Sequence, residues 1–393
     1  MRSLAAEVIA IGATVPGIRE IRLAPNCDYL QVDIVAAGED EVIRMPLDHL
    51  ATVIGSATGS ERSDLIGNRL AAAVERVADK AAGQSWDTAR LLLLRTTLRP
   101  TSWQARHPGS HVGIEVLPGV AEIAVLDRPS SMENVSLEML AQWNVTAAEV
   151  LASARDNLDQ APEPGHWQKL DTLPLYELAD ANEYSASRLI RPEWLQQHSP
   201  PGTGPVIVMM PSLGMIIAGR LPAVQPFLAP ISQQTTTIWR EATDQISPVI
   251  YLLQDDAMTP LRLPTDKAAD VLRVAELMLA ATEYHRQNTL QQRAGGQPQA
   301  QLTVTSMDGH PASLASWNGT TTDDLLPRAD FVAVATTSST IAIVDWDTFL
   351  RTTPGHIRRE ADVMPGRWRT VTPLTADRRE ELARHAVQRH ERR

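Results

Sequence analysis

Fifteen consecutive residues, Pro205 to Gly219 (PVIVMMPSLGMIIAG), carry no charge. This stretch narrows the choice of fold more than any other, because so much apolar surface must leave water, into protein or into lipid. A helix that spans a bilayer needs about 20 apolar residues. Here Pro211 and Gly214 interrupt the run, Arg220 ends it, and Pro222 and Pro226 follow. Two short buried strands fit better: 206–210 (VIVMM) and 215–219 (MIIAG), joined by a tight turn at PSLG. No membrane span is expected. The preceding EYSASRLIRPEWL (Glu183 to Leu195) then reads as a structural hinge between packed elements.

The rest of the composition suits such a core. Of 393 residues, 43% are apolar and 21% charged, which are ordinary globular values. The length suggests two or three domains. The net charge of −11 argues against a nucleic-acid partner, whose footprint would be a basic face. Only Lys80, Lys169 and Lys267 among the 36 basic residues are lysines, and with the high alanine content this reflects a GC-rich coding genome more simply than phosphate binding. Cys27 is the sole cysteine, so intrachain disulfides and four-cysteine zinc sites are excluded and a small core residue is expected. The opening MRSLAAEVIAIGATVPG is short, is broken by Glu7 and has one basic residue, unlike a secretion signal; a cytoplasmic location is expected.

Along the chain, strands and helices alternate without a strict βαβ rhythm. Strands are expected at 29–35, within 41–47, at 89–98, 114–117, 121–126 and 172–179, in a hairpin at 249–253 and 259–263, and at 302–307, 331–337 and 340–346. Helices are expected over 64–82, from Ser136, over 146–158, 185–198, within 223–244, over 266–292 and at the basic C-terminus. Thr146 and Glu149 form a capping box. The strand pairs at 206–219 and 331–346 are each followed by a proline-containing segment, which suggests a repeated hairpin-and-helix module. These features predict an α+β fold, with hairpin-rich antiparallel or mixed sheets covered by helices. Domains are expected at 1–118, 119–265 and 266–393, with a linker at 293–301.

Trp143-Asn144 ahead of a helix ending ARDNL, then EYSASRLI, the 206–219 strand pair, a helix and a closing hairpin ending at Leu263 resemble the YtpQ-like family of bacterial proteins, a domain of unknown function. The opening hairpin and LIGNRLAAAVERV match that family's start. The resemblance covers about residues 20–265. It implies no activity, cofactor or catalytic residue.

The residues able to do chemistry are sparse. His107 and His111, with Glu115 or Glu122, have some of the residue types of a metal site, but Pro108 and Gly109 break the helix that would align the imidazoles, so solvated loop histidines are the simpler reading. Asp308 and His310 could be half of an acid–base set, yet no G-x-S-x-G elbow is present and Asp-Gly is an ordinary hairpin turn. Asp255-Asp256, Asp180 and Glu183 do not form a calcium loop, and no phosphate-binding glycine loop exists. The most plausible local site is Ser185, Ser187 and Arg188. There the serines would cap a helix start, Arg188 would meet an anion or Glu183, and Trp194 would pack the helix on the sheet. The basic C-terminal helix reads as a solvated end.

No catalytic set, metal or cofactor is therefore expected. Nine tryptophans point to a non-catalytic module that binds a protein partner or its own copy. The alternatives are a hydrolase assembled from His107, His111 and Asp308, and an anion or small-ligand sensor using Arg188.

Overall fold

The computed structural model describes residues 2–391 except 26–28, 83–84, 107–110, 129–130, 161–164, 180, 255–256, 265–266, 294, 298, 338–339 and 361–362. The fold is α+β. Contacts divide the chain into two compact units, one of Met1–Arg95, Val125–Asn134 and Gln142–Val145, the other of Thr96–Ala124, Val135–Ala141 and Thr146–Arg393.

The smaller unit is built on a three-stranded antiparallel sheet, Ile18–Leu23, Tyr29–Ala36 and Glu39–Pro46, in sequential order. Along Tyr29–Ala36 the alternation seen in the sequence becomes alternating burial, with Leu30, Val32, Ile34 and Ala36 inward. Ala37 and Gly38 both hold positive φ (53° and 87°), the two-residue turn whose twist matches a hairpin. Helices Arg2–Gly12, Leu47–Ile54 and Gly59–Ala82 complete the core, the last beginning five residues before the expected start. The expected cap Gly83 and the lone Cys27 lie outside the described residues.

One expectation fails in this unit. The run from Ala89 is not a single buried strand: Ala89–Leu93 is a turn of π-helix, and the strand starts at Leu94. Ser85 accepts a hydrogen bond from the Thr88 N–H, starting helix Trp86–Thr88, which leads into that turn. Leu91 and Leu92 are left 65% exposed. A short apolar run has no period by which to tell strand from helix.

In the larger unit, the uncharged run forms the two central strands of a six-stranded antiparallel sheet, Val206–Ser212 and Met215–Arg220. Val206, Val208, Met210, Ile216 and Ala218 enter one apolar cluster, whereas Ile207, Met209 and Ile217 enter another. Both faces of the sheet are covered, so neither tolerates a charge; this explains the uninterrupted hydrophobicity. No described helix is long and apolar enough to cross a membrane. Strand Ile250–Gln254 flanks the pair on one side, and Leu175–Leu178 on the other.

A five-stranded mixed sheet follows in sequence, ordered Thr303–Met307, His310–Trp317, Phe331–Ala335, Thr340–Asp345 and Gln388–Glu391. A small sheet joins Leu325–Pro327, Arg367–Thr370 and Ile357–Arg359. Helix Lys267–Arg293 ties these parts together: Leu272, Leu279 and Tyr284 belong to three different apolar clusters. A helix wrapped by packing on several sides cannot show a single apolar stripe.

Two more expectations are corrected here. Residues 185–198 form two helices, Ser185–Leu189 and Pro192–Gln197. Arg191 is extended (φ −105°, ψ 99°), as sterics require of a residue before proline. The C-terminal helix is only Ala376–Arg384; Gln388–Glu391 is a strand paired with Thr340–Asp345, whose open edge supplies the hydrogen bonds.

Candidate functional site

The residues singled out from the sequence do not converge. Ser185 does not cap its helix; its hydroxyl donates to Asn182 Oδ1 (3.1 Å) and accepts the Asn182 N–H (2.9 Å). Ser187 is buried, and its hydroxyl has no hydrogen-bond partner among the described residues. Arg188 is only 4% exposed, enclosed where a dissolved anion would not reach it. Trp194 packs against the central apolar cluster and stacks on His198, with ring centroids 4.8 Å apart.

The other candidates are also separated. His107, Asp180, Asp255 and Asp256 lie outside the described residues. His111 packs its ring against Trp103 and bridges to Ser136. Glu122, fully buried, accepts two hydrogen bonds from Arg155 Nε and a third, very short one from its Nη2. Asp308 (φ 52°) and Gly309 (φ 87°) are the turn between Thr303–Met307 and His310–Trp317, while His310 pairs with Asp270 at 2.9 Å. No group of three or more His, Cys, Asp or Glu among the described residues could hold a metal.

One sequence candidate, Glu115, does reach a cleft. In the larger unit a cavity of about 660 Å³ opens between the turn after strand Gly113–Leu117, one face of the long helix, and the segments around Arg328, Arg359 and Trp368. Arg273, Leu277, Ala280 and Tyr284 recur at intervals of three and four along the helix, so they line one wall together.

Four arginines line this cleft, and they fall into two classes. Arg273 donates to Asp330 (2.5 and 2.6 Å) and Glu276 (2.7 Å), and Arg262 donates to the same Glu276 oxygen (2.9 Å). Asp330 also accepts from the Ser313 N–H and hydroxyl, both at 2.8 Å. Burial alone would raise the Asp330 pKa, but Ser313 and Arg273 outweigh it and hold the carboxyl below its ordinary range. These two arginines are committed. Arg328 and Arg359 are exposed and form no ion pair among the described residues. The Arg359 guanidinium lies 5.8 Å from the centroid of the Trp368 ring.

One hydroxyl bonds the backbones of Arg328 and Gly366. Tyr284 Oη accepts the Arg328 N–H (3.1 Å) and donates to the Gly366 carbonyl (2.8 Å). Gly366 in turn lies under Arg359, since a Cβ built there would be 3.8 Å from a guanidinium nitrogen. Burial pushes the Tyr284 hydroxyl up to about 12, so it stays protonated and able to donate at neutral pH. Glu115 keeps contact with solvent, yet the surrounding walls push its carboxyl above the ordinary range. The Gly119 N–H (3.1 Å) and the charges of Arg359 and Arg328 oppose this only in part. Glu283 is fully buried at the cleft wall and accepts from the Ser102 N–H (2.7 Å), the Thr101 hydroxyl (3.2 Å) and Arg286 (3.3 Å). Burial raises its pKa as well.

The Ser313 hydroxyl is engaged with Asp330, and the Tyr251 and Tyr284 hydroxyls are hydrogen-bonded. Among the described residues no histidine lines the cleft. No protein-family model, curated protein or solved structure matches the chain.

Proposed function

We propose that this chain is a non-catalytic binding protein whose larger unit captures a small molecule in the cleft bordered by Glu115, Tyr284, Arg328, Arg359 and Trp368. One observation carries the reading: two guanidinium groups without carboxylate partners among the described residues face a cavity large enough for a drug-sized ligand. Arg273 and Arg155 are matched by acids and the buried Arg367 by carbonyls and Gln287, whereas the guanidinium groups of Arg328 and Arg359 are exposed at the cleft and form no ion pair among the described residues. This develops the small-ligand alternative in the sequence and moves it from Arg188 to the cleft. It is preferred to protein binding because exposed large apolar side chains are scattered from Ile9 to Val387, with Leu91 and Leu92 as neighbours. A single cysteine supports a cytoplasmic setting, and kinship with the YtpQ-like family remains part of the proposal without adding an activity.

The test is a thermal-shift screen of the full chain against a metabolite library, repeated on Ala280→Phe, which fills the cleft from the helix wall. A ligand that binds only the folded state at about 100 times its Kd adds roughly 2.7 kcal/mol of apparent stability. Ligands that stabilise the parent protein but not Ala280→Phe support the reading. If no compound stabilises the parent, or Ala280→Phe responds equally, the reading falls.

A further inference from the structure

We propose that the ligand of this cleft carries an oxyanion, a carboxylate or a phosphate, held between Arg328 and Arg359, and that Glu115 takes up a proton when it binds. The inference rests on the reading of the cleft as a ligand site. It specifies the ligand's chemistry and a linkage that the reading alone does not require.

The argument begins with the charges. Asp330 and Glu276 are matched to Arg273 and Arg262, and Glu283 to Arg286 and the Thr101–Ser102 donors. Set aside, these leave Arg328 and Arg359 on one side and Glu115 on the other. Guanidinium forks bind carboxylate and phosphate oxygens through paired, charge-assisted hydrogen bonds. The Trp368 ring lies under the Arg359 guanidinium and so supports that cation at the cleft wall. Glu115 feels the charges of both arginines yet forms no ion pair with either among the described residues.

The groups that act on Glu115 are Arg328 and Arg359, the Gly119 N–H on its own turn, and Tyr284 from the long helix. Across the cleft, Glu276, Glu283 and Asp330 add negative charge, and Arg262 and Arg273 offset it. An incoming oxyanion places a like charge beside Glu115 and draws on the same two cations. Both effects favour the neutral carboxyl. Burial has already moved Glu115 in that direction, and an oxyanion moves it further the same way. Binding and proton uptake are then thermodynamically linked, and affinity rises as pH falls through the range in which Glu115 becomes protonated.

The experiment is isothermal titration calorimetry of the full chain with inorganic sulfate, inorganic phosphate and acetate, near pH 6, in two buffers that differ in ionisation enthalpy. Sulfate keeps its charge in this range, so its buffer dependence counts protons taken up by the protein. Saturable binding is expected. Tighter binding of sulfate and phosphate would identify a phosphoryl-type ligand, and tighter binding of acetate a carboxylate. Arg328→Gln and Arg359→Gln, both at exposed positions and checked for an unchanged circular dichroism spectrum, each weaken binding about tenfold, the loss of one charge-assisted contact. Glu115→Gln retains binding, loses the proton uptake and flattens the pH dependence. Absence of saturable binding by all three anions, affinity unchanged by both arginine substitutions, or proton uptake that persists in Glu115→Gln would overturn the proposal. A library in which the only compounds whose effect Ala280→Phe abolishes are uncharged would overturn the oxyanion while leaving the ligand site; a library with no compound whose effect Ala280→Phe abolishes would overturn both.

Discussion

Arg367 is a fully buried cation with no carboxylate among the described residues to balance it. Its Nε donates to Gln287 Oε1, and its Nη atoms donate to the carbonyls of Ala300 (2.8 Å), Leu325 (2.7 Å) and Tyr284 (3.4 Å). The guanidinium lies 5.0 Å from the Tyr284 ring centroid. Burial lowers its pKa from 12.5 to about 10. At about 1.4 kcal/mol per unit, holding the charge there costs about 3 kcal/mol, and Arg367→Met returns that cost. Against this, four acceptors lose a charged donor, at about 1–3 kcal/mol each with the longest contact at the low end. A loss of about 6 kcal/mol against a return of about 3 leaves a net destabilisation of about 3 kcal/mol. With a urea slope of about 3 kcal/mol/M for a unit this large, the midpoint falls by about 1 M. Near-ultraviolet circular dichroism reports the transition, because Trp317, Trp346 and Trp368 pack in the cluster that contains Tyr284. A midpoint that stays in place or rises would show that desolvation outweighs the carbonyl contacts, which would refute this accounting. Arg367→Lys is also destabilising, but less so at high pH: burial depresses the lysine, the unfolded chain holds the proton longer, and stability rises with pH between the two pKa values.

Other outcomes follow from the same kind of reasoning. Arg155→Met leaves the fully buried Glu122 without its cation and costs about 3–5 kcal/mol in urea unfolding, more than Glu122→Gln does; equal losses would argue against an uncompensated charge. Glu283 has its folded pKa raised by burial, so its contribution to stability is complete below the unfolded value and is lost as pH rises through the folded one. Unfolding free energy measured across that window falls in the parent and falls less in Glu283→Gln, where only Glu115 still acts in the same direction. Thr146→Ala removes an N-cap that accepts the Glu149 N–H (3.2 Å) and costs about 1 kcal/mol, measurable by thermal unfolding. The Glu149 carboxyl, held below its ordinary range by the Thr146 N–H and hydroxyl, adds stability that disappears as pH falls through its folded pKa.

How much of the fold the sequence reveals depends on how locally each element is determined. The capping box at Thr146 and Glu149 is three residues wide and forms as read. The hairpin at Tyr29–Ala36 and Glu39–Pro46 shows a clean two-residue period because one face is buried and the other wet. The central strands were recognisable by their lack of charge, and two-sided burial supplies the reason. Failures occur where partners are distant in sequence. Gln388–Glu391 looks like the frayed end of a basic helix until Thr340–Asp345, more than forty residues earlier, offers an edge. The run from Ala89 carries no period, and Ser85 decides its start from outside it.

The cleft was the hardest feature to foresee, for the same reason. In the sequence Glu115 presents itself only as a possible metal ligand, and Arg328, Arg359, Trp368 and Tyr284 carry no local signal. Their nearest companions in sequence are uninformative: Arg328 sits in LLPRADF and Arg359 in IRRE, where neither spacing nor residue type implies a ligand. What selects them is the pattern of neutralisation, and that is a property of the fold. Arg273 and Asp330 are 57 residues apart yet bonded, which removes both from consideration. The Tyr284 hydroxyl ties the backbones of Arg328 and Gly366, 44 and 82 residues away, and Arg359 lies against Gly366. A chain with 36 basic residues displays many arginines, and the informative ones are those left over after the acids have been assigned. Asp330→Asn removes one of the two carboxylates on Arg273 without adding a cation to the cleft; increased sulfate affinity with Arg328 and Arg359 undisturbed would support that logic of subtraction, and unchanged affinity in a folded variant would show that proximity to the cleft alone does not make a guanidinium a ligand.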